Sequence, residues 1–141
     1  MNYSKLDTDT DCCLTLIDDF HNEIQIDVHK TMLVNIAFFR NLFSCSIENN
    51  KYLTLHIIRA PIMRDIIMNL YDDSNQNKTV EEILYYILVF DFLGEDSKFG
   101  YFFDKINIDH KFNSNEISLL FTTIETTGFN NLHVCKILYT T

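Results

Sequence analysis

A chain of 141 residues with 47% apolar content is long enough to bury most of its surface without disulfide staples, and too apolar to stay disordered. Its 11 Lys and Arg stand against 20 Asp and Glu, a formal net charge of −9 with no basic cluster, which excludes a nucleic-acid footprint and repels anionic membranes. Three Gly and one Pro leave little for tight turns, so a β-sandwich is disfavoured, and 13% aromatic residues with no Trp point to a core built on Phe and Tyr.

No charged-then-apolar leader opens the chain, and no apolar run approaches the roughly 18 residues of a membrane span. The expectation is a cytoplasmic or nuclear protein with no membrane contact. Its four cysteines, Cys12, Cys13, Cys45 and Cys135, are then reduced and act as small apolar groups. Asn77-Lys78-Thr79 fits a glycosylation acceptor only in a secreted protein, which this is not expected to be.

Residues 1–10 are polar and read as a flexible N-terminus. From Cys12, CCLTLI reads as a strand, and EIQIDV, from Glu23, alternates Ile24, Ile26 and Val28 inward against Glu23, Gln25 and Asp27 outward. The short polar link between them predicts an antiparallel hairpin. The stretch from His29 to Phe43 then reads as one helix that organises the rest. Phe38, Phe39, Leu42, Phe43, Met32 and Ile36 share a broad arc, while Leu33, Val34 and Ala37 fall on the other side. A helix apolar on so much of its surface is buried twice, or buried once and docked on a second chain.

Ser44 to Lys51 is a polar loop, and Tyr52 to Ile58 a third strand. Pro61, at a first-turn position, opens a helix carrying Ile62, Met63, Ile66, Ile67 and Leu70 as far as Tyr71. Thr79 and Glu82 form a capping box for a nearly all-apolar helix that stops at Gly94. Ser97 is expected to cap a short helix with Phe99, Phe102, Phe103 and Ile106 inward. Asn113 and Glu116 cap another, whose inner stripe is Ile117, Leu120, Phe121 and Ile124, ending at Gly128. The tail LHVCKILY is too short and mixed to assign. Three strands cannot cover this many helices, so the fold class is α+β, a helical cluster flanked by a small three-stranded sheet.

No catalytic constellation emerges. The histidines and cysteines lack the close pairing of a zinc site, so no metal and no cofactor are expected. Cys12 and Cys13 have no basic neighbours to activate a thiolate. Asp18-Asp19 and Asp72-Asp73 lie in polar turns, where carboxylates serve the backbone. The chain reads as an interaction module rather than an enzyme.

The order of these elements resembles a BTB/POZ domain. The resembling residues are Asp11 with the first strand, His29-Lys30, Leu33, Phe38-Phe39-Arg40 with Phe43, the strand YLTLHII, the helix ending at Tyr71, and Glu81-Glu82 leading to Asp91-Phe92-Leu93-Gly94. Ile36 stands where the family usually has Ser, and Tyr71 is followed by Asp72-Asp73 instead of Thr-Gly. The resemblance covers residues 11–106 as a domain, with 107–141 a C-terminal helical extension. It implies self-association as a homodimer or homo-oligomer, assigned to Cys12, Leu14, Val34, Phe38 and Asn41. It also implies substrate adaptors for cullin-type ubiquitin ligases, whose scaffold is met by a hydrophobic residue two before a Glu; here Ile47 immediately precedes Glu48. The alternatives are a purely structural oligomerisation domain, similar to the tetramerisation domains of potassium channels, or a decoy occupying a host scaffold. The former carry a Gly-Gly turn in the first hairpin that is missing between Asp18 and Asn22. In the resemblance His29 opens the helix as a partly buried imidazole bonded to backbone. Abundant Asn and Ile with scarce Ala suggest an AT-rich coding genome, such as that of a protist or a large DNA virus.

Overall fold

The computed structural model describes residues 9–45, 51–72 and 77–140. Ile47 and Glu48 lie outside the described residues. The chain divides into two compact units, residues 1–76 with 92–94, and residues 77–91 with 95–141.

In the first unit β1 (Cys12–Ile17) and β2 (Glu23–Val28) pair antiparallel, Cys12 opposite Val28 and Ile17 opposite Glu23. The alternation of apolar and polar residues sets the register, sending Leu14 and Leu16 wholly inside while Glu23, Gln25 and Asp27 stay in solvent. The connecting turn closes without glycine because Asp18 supplies the missing bonds. Its carboxylate accepts from the Phe20 and Asn22 amides at 2.9 and 3.0 Å, and His21 takes φ of 67°. The third strand, β3 (Tyr52–His56), lies on the other side of β1 and runs parallel to it, so the first strand of the chain is the middle of the sheet, in order β2-β1-β3. A parallel pairing needs a crossover, and the helical stretch after β2 provides it.

That stretch is two helices, not one. α1 (Lys30–Leu33) and α2 (Ala37–Cys45) are separated by Val34, Asn35 and Ile36. α3 (Ala60–Met68) begins with Pro61 in its first turn and ends earlier than the apolar spacing suggests, at Met68, whose carbonyl takes the Tyr71 amide in a closing turn. Tyr71 is completely buried. Its hydroxyl accepts the His29 amide at 2.7 Å and meets His29 Nδ1 at 3.1 Å, tying the end of this segment to the exit of β2.

In the second unit α4 (Val80–Phe92) starts at the Thr79–Glu82 capping box, with bonds of 2.9 and 3.1 Å. Only Tyr85 is less than buried between Ile83 and Phe90, which is why this helix lacks a polar face. Gly94 at φ 73° ends it. Ser97 caps nothing: it sits inside a 3-10 turn, Asp96–Lys98, that leads into α5 (Phe99–Phe103). The Phe102 ring stacks on both Tyr86 and Phe90, at 5.4 and 5.2 Å between centroids.

α6 (Ser114–Thr127) has the expected capping box from Asn113 and Glu116, with His110 bonded to Glu116 at 3.2 Å. Its inner stripe differs from expectation. Leu120 and Thr123 are buried, Phe121 is 53% exposed, and Ile117 and Ile124 are half-buried. Thr123 can go inside because its hydroxyl is satisfied by the Leu119 carbonyl at 2.7 Å. The unassigned tail is α7 (Leu132–Thr140), opened by Asn131, whose side chain accepts the Val134 amide at 2.8 Å. Phe129 stacks on Phe103 at 5.4 Å, and His133 Nε2 meets the Ile106 carbonyl at 2.8 Å, so the last helix is fastened to α5 and the turn after it.

Candidate interaction surface

The surface is set by how the break between α1 and α2 is held. α1 has no cap from His29 itself; the Asp11 carboxylate, a residue before β1, accepts the Lys30 amide at 2.8 Å. After one turn the chain leaves the helix. Arg40 then reaches back from α2, its Nε bonding the Val34 carbonyl at 3.0 Å and its second guanidinium nitrogen the Asn35 carbonyl at 3.4 Å. Those carbonyls would face the next helical turn if the helix ran on. At its own start α2 finds a distant acceptor, the Phe38 amide bonding the Leu93 carbonyl at 3.2 Å.

The break re-aims the apolar residues. Leu33, Ile36 and Phe39 enter the core, while Val34 is left 36% exposed beside the polar Asn35, Arg40 and Asn41. Phe38, Leu42 and Phe43 are half-buried. The Phe38 ring meets Phe39 edge-on at 5.2 Å and Phe92 at 5.0 Å, and Phe92 is itself 40% exposed. The Lys30 ammonium lies 5.7 Å from the Phe43 ring. The outcome is an apolar ledge of the paired Phe38 and Phe92 rings, with Val34 on the break as a further exposed apolar residue.

Of the five residues assigned to self-association, Val34, Phe38 and Asn41 reach the surface and lie on the break or on α2. Cys12 and Leu14 do not: they are 3% and 0% exposed, on the inward face of β1, and burial removes them from any surface of the folded chain. Phe92, not among those five, is also exposed, on a helix that otherwise reads as wholly buried. The Phe38–Phe39–Arg40 block, read from sequence for the resemblance, gave no sign that Arg40 folds back on the Val34 and Asn35 carbonyls.

Two other groups had sharper readings. Burial pushes the Cys12 thiol up to about 11, and burial with the Asp27 carboxylate beside it pushes the Cys13 thiol up as well, so both stay protonated at neutral pH. The Asp18 carboxylate is 7% exposed, which alone would raise its pKa. Its bonds from the Ala60 amide at 2.7 Å, the Asn22 side chain and amide, and the Phe20 amide outweigh this and hold it below the usual carboxylate range. Asp18 is therefore a structural anion joining the hairpin turn to the start of α3. His29 is almost wholly buried, with its Nδ1 3.1 Å from the Tyr71 hydroxyl. Among the described residues no three His, Cys, Asp or Glu side chains converge to hold a metal ion, and no helix is long and apolar enough to cross a membrane.

The α+β core of three strands in the order β2-β1-β3, with the crossover helices and the Phe38–Phe39–Arg40 block, agrees with the resemblance drawn from sequence, and comparison with known proteins decides it. No protein-family profile matches the chain. Three proteins of Acanthamoeba polyphaga mimivirus, each described as BTB/POZ domain-containing, do. One is 31% identical over 93% of this chain, a second 31% over 60%, and a third 35% over 54%. The chain belongs to the BTB/POZ domain family. It spans about a quarter or less of these relatives, 26%, 19% and 15% of their respective lengths. Their viral source agrees with the large-DNA-virus origin suggested by residue usage. BTB/POZ domains are in general protein–protein interaction modules and not enzymes.

Proposed function

We propose that this BTB/POZ domain is a self-associating interaction module whose contact surface is the ledge around Val34, Phe38 and Asn41. The observation that carries the reading is the apolar surface left open here, with Val34 on the α1–α2 break 36% exposed and Phe92, its ring 5.0 Å from that of Phe38, 40% exposed. In a two-fold arrangement this patch meets its own copy near Phe38, and a specific interface of this kind buries on the order of 1,200–2,000 Å² in total. Val34→Asp is expected to dissociate the contact made through this ledge with little unfolding. Leu33→Asp, next to it but wholly buried, is expected to unfold the chain. Sedimentation equilibrium with circular dichroism separates the two, and a wild-type mass of 16.6 kDa at all micromolar concentrations would overturn the reading.

A second reading is recruitment to a cullin-type ubiquitin-ligase scaffold, as adaptor or as decoy. It is supported by the family and by Ile47, a lone apolar residue in the polar run from Ser44 to Lys51 and directly before Glu48. Pull-down of a cullin N-terminal region by wild type, lost with Ile47→Asp, is the expected outcome. Retention despite the substitution removes Ile47 from the contact. A purely structural oligomerisation role would show self-association and no scaffold binding at all.

A further inference from the structure

The three-stranded sheet has two outer edges, and they are defended differently. Which main-chain groups point outward follows from the ladder bonds. Lys51 offers its carbonyl to the Cys13 amide at 2.7 Å, and the Ile57 amide bonds the Ile17 carbonyl at 2.9 Å. Because the amide and carbonyl of one strand residue point to the same side, and successive residues alternate, the main chain of Tyr52, Thr54 and His56 faces away from β1. The same argument on β2, from the Val28 and Asn22 carbonyls bonded to the amides of Asp11 and Asp18, leaves Glu23, Gln25 and Asp27 facing outward. Among the described residues neither set is covered by another strand, and all six side chains are exposed.

Charge distinguishes the edges. An antiparallel pairing of β2 with its own copy, centred on Gln25, would set Glu23 opposite Asp27 at both ends, like charges face to face. The β3 edge has no such guard: it lacks charge, Pro and Gly over Tyr52–His56, the devices that blunt natural edges. Centred on Thr54, an antiparallel pairing of β3 with a second β3 sets Tyr52 against His56, Thr54 against Thr54 and Leu53 against Leu55. The outward main-chain residues fall opposite one another, so each finds its donor and acceptor. Leu53 and Leu55 are only half-buried in the chain, and the pairing brings them together.

We propose that the outer edge of β3 pairs antiparallel with the same edge of a second copy of this chain, about a two-fold axis at Thr54, joining two three-stranded sheets into one. It does not rest on the α1–α2 ledge, so the two surfaces stand or fall separately.

The test is oxidative cross-linking of the full chain carrying Val34→Asp, which removes the ledge from the measurement. Directly opposed residues of an antiparallel pair bring their Cα atoms to about 5.5 Å, within disulfide range. Thr54→Cys is expected to give a reductant-sensitive dimer several-fold above that of the same chain with its native cysteines only. Gln25→Cys, on the charged edge, is expected to give no excess. In a chain without Val34→Asp, Thr54→Lys is expected to lower the association constant about fivefold by setting two ammonium groups across the axis, while circular dichroism stays unchanged. No excess cross-linking at Thr54, or an equal excess at Gln25, overturns the proposal.

Discussion

At the scale of single residues, the anions and cations that matter hold backbone. Asp18 satisfies amides in the hairpin turn and at the start of α3, a loop-to-helix tie between groups 42 positions apart. Asp18→Ala leaves those donors facing a weakly solvated site, and the expected cost is about 2–4 kcal/mol in urea unfolding. The folded carboxyl titrates below its unfolded value, so its contribution is complete above the unfolded pKa of about 3.9 and lost as pH falls through the lower folded value. Wild type should therefore lose stability below about pH 4 more steeply than Asp18→Ala, which has already lost that linkage. Urea midpoints at neutral pH and near pH 3 check both statements. Arg40 acts in the same way on carbonyls. Arg40→Ala should cost about 1 kcal/mol, and Arg40→Lys should recover little, because one ammonium cannot copy a fork that reaches two successive carbonyls.

At the scale of elements, local chemistry was readable and distant chemistry was not. Strand-like runs and a short polar link announced the β1–β2 hairpin, and capping boxes announced the starts of α4 and α6, because each signal lies within a few residues of what it controls. The interruption of the central helix depends on Arg40 folding back on Val34 and Asn35, and on the Leu93 carbonyl meeting α2 from far along the chain. Apolar periodicity runs straight through that region and conceals it. The same reason explains the inner stripe of α6: Thr123 looks polar until its hydroxyl is seen bonding Leu119, and Phe121 looks like core until its neighbours are known. α7 escaped because the contacts that fasten it, from Phe129 and His133, are made to α5 and the turn that follows. Of the residues assigned to self-association, Val34 and Asn41 are exposed and Phe38 half-buried, while Cys12 and Leu14 lie inward on β1, since an apolar residue reads the same in sequence whether its face is covered or open.

At the scale of the whole molecule, a formal charge of −9 on each copy works against self-association. Salt should screen that repulsion while leaving apolar contact intact, so the association constant of the proposed self-contact is expected to rise between about 50 and 500 mM NaCl, over which the Debye length falls severalfold. Sedimentation at the two salts measures this, and a fall would mean that ion pairs, not the apolar ledge, dominate the interface. The sheet order has a consequence in time. β1 emerges first and finds β2 at once through a short turn, yet its other flank waits for β3, which comes only after α1 and α2 have been made. Closing so long a segment is slower than forming a hairpin, and during the delay the middle strand of the finished sheet is an edge strand. How long β1 stays bare is governed by how fast the α1–α2 crossover folds. A lesion there, Arg40→Ala among them, is expected to show itself first as lost soluble yield during synthesis, at temperatures where the folded protein is still stable.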